Sequence, residues 1–450
     1  MNMLIPALRR RVLEPLWGIY SRAELLEAWD ALERSQYLPE SVLLERQWAS
    51  LTEMLRFAYE HNSFHRARFD RAGIDPREIR TIEDFRRLPI LTKPEARAAG
   101  FGMLSDKFDR ASLLGAKTGG STGTPLELLC TEEVAHLRNA SGRRNKRWAG
   151  WEVGEPIGAV WGNPRYPSGL WEKVREWVLT PTIYLDTMSI TPEAVVAFAQ
   201  EWERARPTLL FGHAHSLYLL ALVVEQNDVH GIEPRAIIAS SMMLLPHERA
   251  VIERVFGTKV TDIYGCEEVG LIAGECERHE GLHLNVEQLM VEVLREDGTP
   301  ADAGEPGYVV VTDLLNRAMP FIRYRMEDMA VLAVDRCSCG RAFPMLKQLV
   351  GRTADFLRRR DGSRVAGISL IENSLTRIPG IEQMQIVQPA LLTIELRVVP
   401  GPGFAPERRR ELLDYFRETF PGADVQLSDV TSIPAEPNGK YRFSICRVVD

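Results

Sequence analysis

The stretch Lys117-Thr118-Gly119-Gly120-Ser121-Thr122-Gly123-Thr124-Pro125, followed by Leu126-Glu127-Leu128-Leu129, is the part of this 450-residue chain around which the rest is arranged. Its glycines free the backbone, and with the Ser and Thr hydroxyls they let N–H and O–H groups close around a phosphate chain. The nucleotide-binding loop that ends in Gly-Lys-Ser/Thr is a different object, since Pro125 and Leu126 stand where its lysine would be. A Ser/Thr/Gly cluster also suits an ordinary surface turn. What accompanies the loop must decide.

Working outward, Glu132 to Trp148 reads as a helix and Ile157 to Trp161 as an apolar strand. Helical spacing returns at Pro192–Arg206, Ser216–Gln226 and Pro246–Phe256, with strand candidates at Thr208–Phe211, Ala236–Ala239 and Lys259–Tyr264. This alternation predicts an α/β layer with a mostly parallel sheet. Upstream, residues 21 to 72 read as helices, Thr81-Ile82-Glu83-Asp84 as a capped helix start, and Leu88 to Pro94 as an extended connector. From about residue 282 the pattern turns to β, with alternating runs at Gln288–Leu294 and Tyr308–Thr312. Beyond Gly351 the order strand, strand, helix, strand (Ile381–Val387, Leu391–Val398, Pro406–Phe420, Val425–Leu427) predicts a small α+β unit. The expected organisation is a large α/β, multi-sheet N-terminal region, 1–350, and a small mobile α+β C-terminal domain, 351–450.

Composition narrows the function classes. A net charge of −7 with 26% charged residues lacks the basic excess of a general nucleic-acid binder. The longest apolar run, Leu217 to Val224, ends at Glu225, short of the roughly 18 residues of a membrane span. Glu14 and Pro15 interrupt the only candidate leader core, so a cytoplasmic protein is expected. Six cysteines in a chain this long suit metal binding better than a disulfide framework. A homodimer is left open.

Further clusters follow the loop in order. Tyr264-Gly265-Cys266-Glu267-Glu268 ends a strand with an aromatic ring and two carboxylates, able to stack a base and serve a phosphate-bound metal. In Tyr324-Arg325-Met326-Glu327-Asp328, Asp328 can accept hydrogen bonds from vicinal sugar hydroxyls. Gly351-Arg352-Thr353-Ala354-Asp355 stands at the domain boundary, and Pro437-Asn438-Gly439-Lys440 puts a lysine near the C-terminus. Each alone also suits a plain turn, strand end or surface charge.

Together, in this order, they resemble the adenylate-forming acyl ligase superfamily, and more closely its phenylacetate-CoA ligase branch with the capsule-biosynthesis-type members. Phe64-His65-Arg66-Ala67-Arg68-Phe69-Asp70-Arg71-Ala72-Gly73-Ile74-Asp75 and Phe85-Arg86-Arg87-Leu88-Pro89-Ile90-Leu91-Thr92-Lys93 are similar to that branch too. The resemblance implies that Thr118, Gly119, Gly120, Ser121, Thr122, Gly123 and Thr124 hold the ATP phosphates, and that Tyr264 packs on adenine. Gly265 and Ser241 would also belong to the nucleotide site. It implies that Glu268 serves Mg²⁺, Asp328 the ribose with Arg352 close by, Asp355 a hinge, and Lys440 the carboxylate and α-phosphate during adenylation. The expected substrates are a small-molecule carboxylic acid, ATP and CoA. An amine or hydroxyl acceptor, or a nucleotide-binding protein without catalysis, are the alternatives.

Two departures stand out. Arg352 and Asp355 run into Leu357-Arg358-Arg359-Arg360-Asp361-Gly362 where the branch continues with glycine, valine and asparagine, and Glu327 replaces the superfamily's usual glycine. The acid pocket is expected near Trp161–Pro164, Phe211–Ser216 and Ser240-Ser241-Met242, where His213 and His215 are candidate substrate contacts or capping residues.

The cysteines form a separate group. Cys276 with His279 or His283, and Cys337-Ser338-Cys339-Gly340, offer three thiolates and an imidazole, a tetrahedral zinc set. The strand-like Leu282-His283-Leu284 favours His283. Four protein ligands imply a structural rather than a catalytic Zn²⁺.

Overall fold

A computed structural model of the chain describes residues 4–16, 25–117, 126–161, 169, 179, 181–187, 189–352, 356–434 and 442–448. β1 (Leu114–Lys117) and β2 (Glu127–Cys130) pair antiparallel on either side of residues 118–125, which lie outside the described residues. Strand and helix then alternate through β3 (Ile157–Trp161), β4 (Thr182–Asp186), β5 (Leu209–His213), β6 (Ala236–Ser240) and β7 (Val260–Cys266). These five are parallel to their neighbours in the order β4-β3-β5-β6-β7. Helices Pro192–Ala205, Ala214–Gln226 and Pro246–Phe256 cover one face, where Val195, Phe198, Leu217 and Ile252 pack on Val160, Leu210, Ile237 and Val260. Trp151, Ile157, Leu209 and Ile238 fill the other. Burial on both faces is why these strands read as unbroken apolar runs.

The sheet does not stop at β7. It continues antiparallel through β8 (Gly270–Glu275), β9 (Leu282–Leu284), β10 (Leu289–Leu294), β11 (Pro306–Asp313), β12 (Tyr324–Leu332) and β13 (Met345–Arg352), giving eleven strands with the order β8-β9-β13-β12-β11-β10 beyond β7. The sequence predicts a β-rich stretch from 282; its joining the parallel strands in one sheet is the structure's addition.

Upstream, helices Glu40–His61 and Ser63–Arg71 place Leu51, Leu55, Ala58 and Phe69 against Phe85, Leu88 and Ile322. Thr81 with Asp84 and Thr92 with Glu95 form reciprocal capping boxes that start two short helices. Between them the expected extended connector lies along β12: the Leu91 N–H donates to the Arg323 carbonyl at 2.8 Å, and the Arg325 N–H donates to the Leu91 carbonyl at 2.9 Å.

β14 (Phe356–Arg358) and β15 (Arg364–Ala366) form a small ribbon. β16 (Ile381–Ala390), β17 (Thr393–Pro400), β18 (Asp424–Asp429) and β19 (Ser444–Cys446) form a four-stranded sheet in the order β18-β17-β16-β19. Leu370, Ile371, Leu412 and Phe416 from helices Gly367–Arg377 and Pro406–Thr419 pack on Met384, Ile386, Ile394 and Leu396. Leu245, at the head of helix Pro246–Phe256, is buried in this same cluster. No helix among the described residues is long and apolar enough to cross a membrane.

Candidate active site

The carboxyl ends of the parallel strands gather the residues that the sequence singles out. In an open α/β sheet that edge is where ligands sit, because the connections diverge there and leave a crevice. Here Trp161 ends β3, His213 ends β5, Ser240 ends β6, and Tyr264-Gly265-Cys266 end β7. Ser241 follows with φ +65°, a left-handed conformation uncommon for a residue with a Cβ.

The turn from β7 to β8 is built by two close approaches. A Cβ on Gly265 would lie 2.7 Å from the Gly270 carbonyl oxygen, so only glycine lets the strands meet. Gly270 itself has φ +82°, and a Cβ there would lie 3.1 Å from Arg138 Cδ. Arg138 Nη2 donates to the Glu268 carbonyl at 2.9 Å and to Asp313 Oδ2 at 2.6 Å, fixing the turn from beneath.

Two tyrosine–carboxylate pairs then cross between this turn and β12. The Tyr264 hydroxyl donates to Asp328 Oδ2 at 2.8 Å, and the Tyr324 hydroxyl donates to Glu268 Oε1 at 3.2 Å. Glu268 is only 6% exposed, and burial followed by the Glu268 charge raises the Tyr324 pKa, keeping that hydroxyl a donor. Burial and then Glu268 also push the Cys266 thiol well above its ordinary value. A buried carboxylate whose side-chain partners include the Tyr324 hydroxyl and the Cys266 thiol, with no cation of the described residues among them, fits a site for a divalent cation on phosphates. On the other side of β12, Asp328 stands directly opposite Arg352 of β13 in the strand register.

Sequence reasoning left Glu327 unexplained and gave Lys93 no role. Lys93 Nζ lies 3.0 Å from Glu327 Oε2, linking the helix that starts at Lys93 to β12 beside Asp328. The visible signal was the pairing of an unusual acid with a lysine at the end of the extended connector.

At the far end of the same strands, ligand atoms of Cys276, His283, Cys337 and Cys339 all lie within 4.8 Å of one another. Cys276 Sγ is 3.6 Å from Cys337 Sγ, and Cys339 Sγ is 3.4 Å from His283 Nε2. A tetrahedron with Zn–S bonds of about 2.3 Å has edges of about 3.8 Å, so the donor set and spacing fit zinc. The Arg278 and Arg341 N–H groups point at Cys276 Sγ and Cys339 Sγ, each at 3.4 Å, as donors to thiolates do. His279 turns away, with φ +55° and Nδ1 3.2 Å from Glu275, so the histidine of the cluster is His283.

No protein-family model matches the chain. A phenylacetate-coenzyme A ligase of Thermus thermophilus is 28% identical over 330 residues, covering 71% of this chain and 72% of that protein. Protein CapK of Staphylococcus aureus is 21% identical over 415 residues, 90% of this chain and 89% of its own. A crystal structure of 2-hydroxyisobutyryl-CoA ligase in the postadenylation state, in complex with R3-HIB-AMP, matches with a TM-score of 0.74 and 20% identity, over 92% of this chain and 91% of that one. The chain is thus similar in sequence to phenylacetate-coenzyme A ligases and shares its fold with the 2-hydroxyisobutyryl-CoA ligase.

Among the residues that the sequence nominates for a nucleotide site, Ser241, Tyr264, Gly265, Glu268 and Asp328 are brought to one edge, with the backbone of Arg352 beside them. Thr118, Gly119, Gly120, Ser121, Thr122, Gly123 and Thr124, with Asp355 and Lys440, lie outside the described residues. The two pocket histidines separate. His213 is buried with its ring 4.2 Å from that of Trp161, which stacks on Phe211 at 5.2 Å. His215, one helical step on, has Nδ1 2.6 Å from Glu248 Oε1. Glu248 is a fully buried acid that sequence reasoning missed, since it sits on a charged helix with its partner far away in the chain.

Proposed function

We propose that this chain uses ATP to convert a small carboxylic acid into an acyl-adenylate and then passes the acyl group to the thiol of CoA, working in the cytoplasm. The observation that carries this reading is the crossed pair Tyr264–Asp328 and Tyr324–Glu268 at the carboxyl edge of the sheet. The relatives named phenylacetate-coenzyme A ligase support the same chemistry and suggest an aryl or arylacetic acid. In the first step a carboxylate oxygen attacks the α-phosphorus and pyrophosphate leaves; in the second, the thiolate attacks the acyl carbon and AMP leaves.

The roles follow from charge. Adenylation brings a carboxylate onto a polyphosphate, so positive charge and preorganised donors lower the barrier. Residues 118–124 would supply donors and Lys440 the charge, arriving from a C-terminal domain, 351–450, that pivots at Asp355. Mg²⁺, held at Glu268, would neutralise phosphate charge. Asp328 and Tyr264 would hold ribose and adenine, with Ser241, Gly265 and Arg352 completing that site. We also assign Cys276, His283, Cys337 and Cys339 to a structural Zn²⁺, which would tie β8 and β9 to the loop joining β12 and β13.

The test is ATP–pyrophosphate exchange with phenylacetate, benzoate and 2-hydroxyisobutyrate, followed by thioester formation on adding CoA. Exchange with one of them, lost in Lys440→Ala, is the expected result. Absence of exchange with every acid, or exchange with no thioester, would sink the reading in its first or second half respectively.

A further inference from the structure

The helix Glu132–Trp148 carries four arginines, and each has an acid to meet. Arg138 lies 2.6 Å from Asp313, Arg143 3.2 Å from Glu14 and Arg147 3.1 Å from Glu33, while Arg144 pairs with Glu287. Lys146, on the same helix, is the exception. Among the described residues its ammonium meets no carboxylate; it lies 5.5 Å from the centre of the Trp151 ring and 5.8 Å from that of Phe211. Aromatic faces attract a cation, but they replace lost water far less completely than a carboxylate does. Burial, then the charge of Arg143, lowers the Lys146 pKa from 10.5 to about 8, so the side chain is still charged at neutral pH. Nothing in the chemistry above uses this amine.

Phe211 connects Lys146 to the carboxyl edge of the sheet. Its ring stacks on that of Trp161 at 5.2 Å, and the Trp161 ring lies 4.2 Å from that of His213. Phe211 stands opposite Ala159 in the parallel register, so Phe211 and His213 of β5 share one sheet face with Trp161 of β3 and with Tyr184 and Asp186 of β4. The ammonium faces this surface from the helix. From Phe211 to His213, the end of β5, is two residues, about 6.6 Å of strand. Lys146, Phe211 and Trp161 are each only partly buried, so solvent and small solutes reach them.

We propose that Lys146 is a specificity-determining residue that pairs with an anionic group at the far end of the acid substrate, so that the favoured acid carries a second carboxylate. The proposal rests on the function given above, with the reacting carboxylate at the carboxyl edge of the sheet. Between that edge and the ammonium lie about two residues of strand, comparable to the span of a para-substituted benzene ring. Trp161 and Phe211 line this span with aromatic surface. An arylacetic acid with a para carboxylate therefore meets the rings with its own ring and the ammonium with its second charge. It gives Lys146 what the four arginines of the helix already have.

The experiment compares a pair of acids. ATP–pyrophosphate exchange is measured with phenylacetate and with 4-carboxyphenylacetate, and the readout is the ratio of their kcat/KM values. The unmodified protein should favour the diacid about tenfold or more, as a hydrogen bond between charged groups allows. Lys146→Met should bring the ratio close to one, and Lys146→Arg, which keeps the charge, should retain part of the preference. Lys146→Glu should turn the preference toward 4-(aminomethyl)phenylacetate. In the unmodified protein the ratio should fall as pH rises through about 8, where the free ammonium loses its proton. If phenylacetate is used as well as the diacid, or if Lys146→Met keeps the preference, the assignment is overturned and the function stands. Exchange with benzoate or 2-hydroxyisobutyrate but with neither arylacetic acid also overturns it. If no acid supports exchange, the function falls and the assignment with it. Should Lys146→Met not fold by circular dichroism, the unmodified protein still decides: a ratio that stays flat between about pH 7 and pH 9 overturns the assignment.

Discussion

Tyr264 at the end of β7 and Asp328 on β12 are joined by a 2.8 Å hydrogen bond, and the reciprocal bond from Tyr324 on β12 returns to Glu268 beyond β7. Each element thus lends a tyrosine to the other's carboxylate. The two acids assigned to ribose and Mg²⁺ are held at a fixed separation by these tyrosine hydroxyls.

The first prediction tests that coupling. A hydrogen bond to a charged acceptor contributes about 1.5–3 kcal/mol, so Tyr264→Phe should raise KM for ATP about tenfold or more. Asp328→Asn should do at least as much. The double variant should lose less than the sum, because both changes remove one bond. Additive losses in steady-state kinetics would count against it.

How far the sequence shows this site depends on what each residue faces. Helices Glu132–Trp148 and Pro246–Phe256 are legible because Thr131 and Pro246 mark their starts and one face is apolar. The parallel strands show as apolar runs for the same reason of burial. β12 is hidden, since Arg325, Glu327 and Asp328 break its alternation, and these side chains look to Tyr308, Lys93 and Tyr264 rather than to a core. The cysteine group is legible by spacing, but choosing His283 over His279 takes the backbone turn at His279. Glu248 gives no signal, because its burial depends on a helix packed beside it.

The second prediction concerns the metal. The purified protein should carry about one zinc per chain. Cys339→Ser should lower both metal content and melting temperature, while His279→Ala should leave metal content unchanged. Because the four ligands tie β8 and β9 to the loop after β12, a chelator should destabilise the whole sheet. Metal analysis with thermal unfolding decides it; full zinc occupancy in Cys339→Ser would refute the assignment.

A third prediction follows from Arg138. Its guanidinium is the cation beside Asp313, which is 1% exposed in its side chain, and it also holds the Glu268 carbonyl. Removing one partner of a buried ion pair costs about 3 kcal/mol at the low end of measured cases. Arg138→Ala should therefore lower the urea midpoint clearly and raise KM for ATP, since the Glu268 turn loses its support. Gly270→Ala should act in the same direction, through backbone strain at φ +82° and a Cβ pressed on Arg138. Unchanged stability in both variants would remove Arg138 from the account.

The fourth prediction is a pH dependence set far from the sheet edge, in the helix Ser63–Arg71. His65 is fully buried; its Nε2 lies 2.9 Å from the Pro320 carbonyl and its Nδ1 3.0 Å from Arg68 Nη1. Arg68 can only donate, so Nδ1 accepts and the proton sits on Nε2, facing the carbonyl. Burial, then the Arg68 charge, lowers the His65 pKa from 6.5 to about 3. Above pH 6.5 the imidazole is neutral in both folded and unfolded chains and the group contributes no slope. Below it the unfolded chain binds a proton that the folded chain refuses, so stability falls as pH falls, down to about pH 3. At pH 5 the loss from this one group is about 2 kcal/mol. His65→Gln keeps an N–H for Pro320 and removes the titration, so its urea midpoint should drop less between pH 7 and pH 5 than that of the unmodified protein. Equal drops, at equal m-values, would show that His65 does not carry the acid sensitivity.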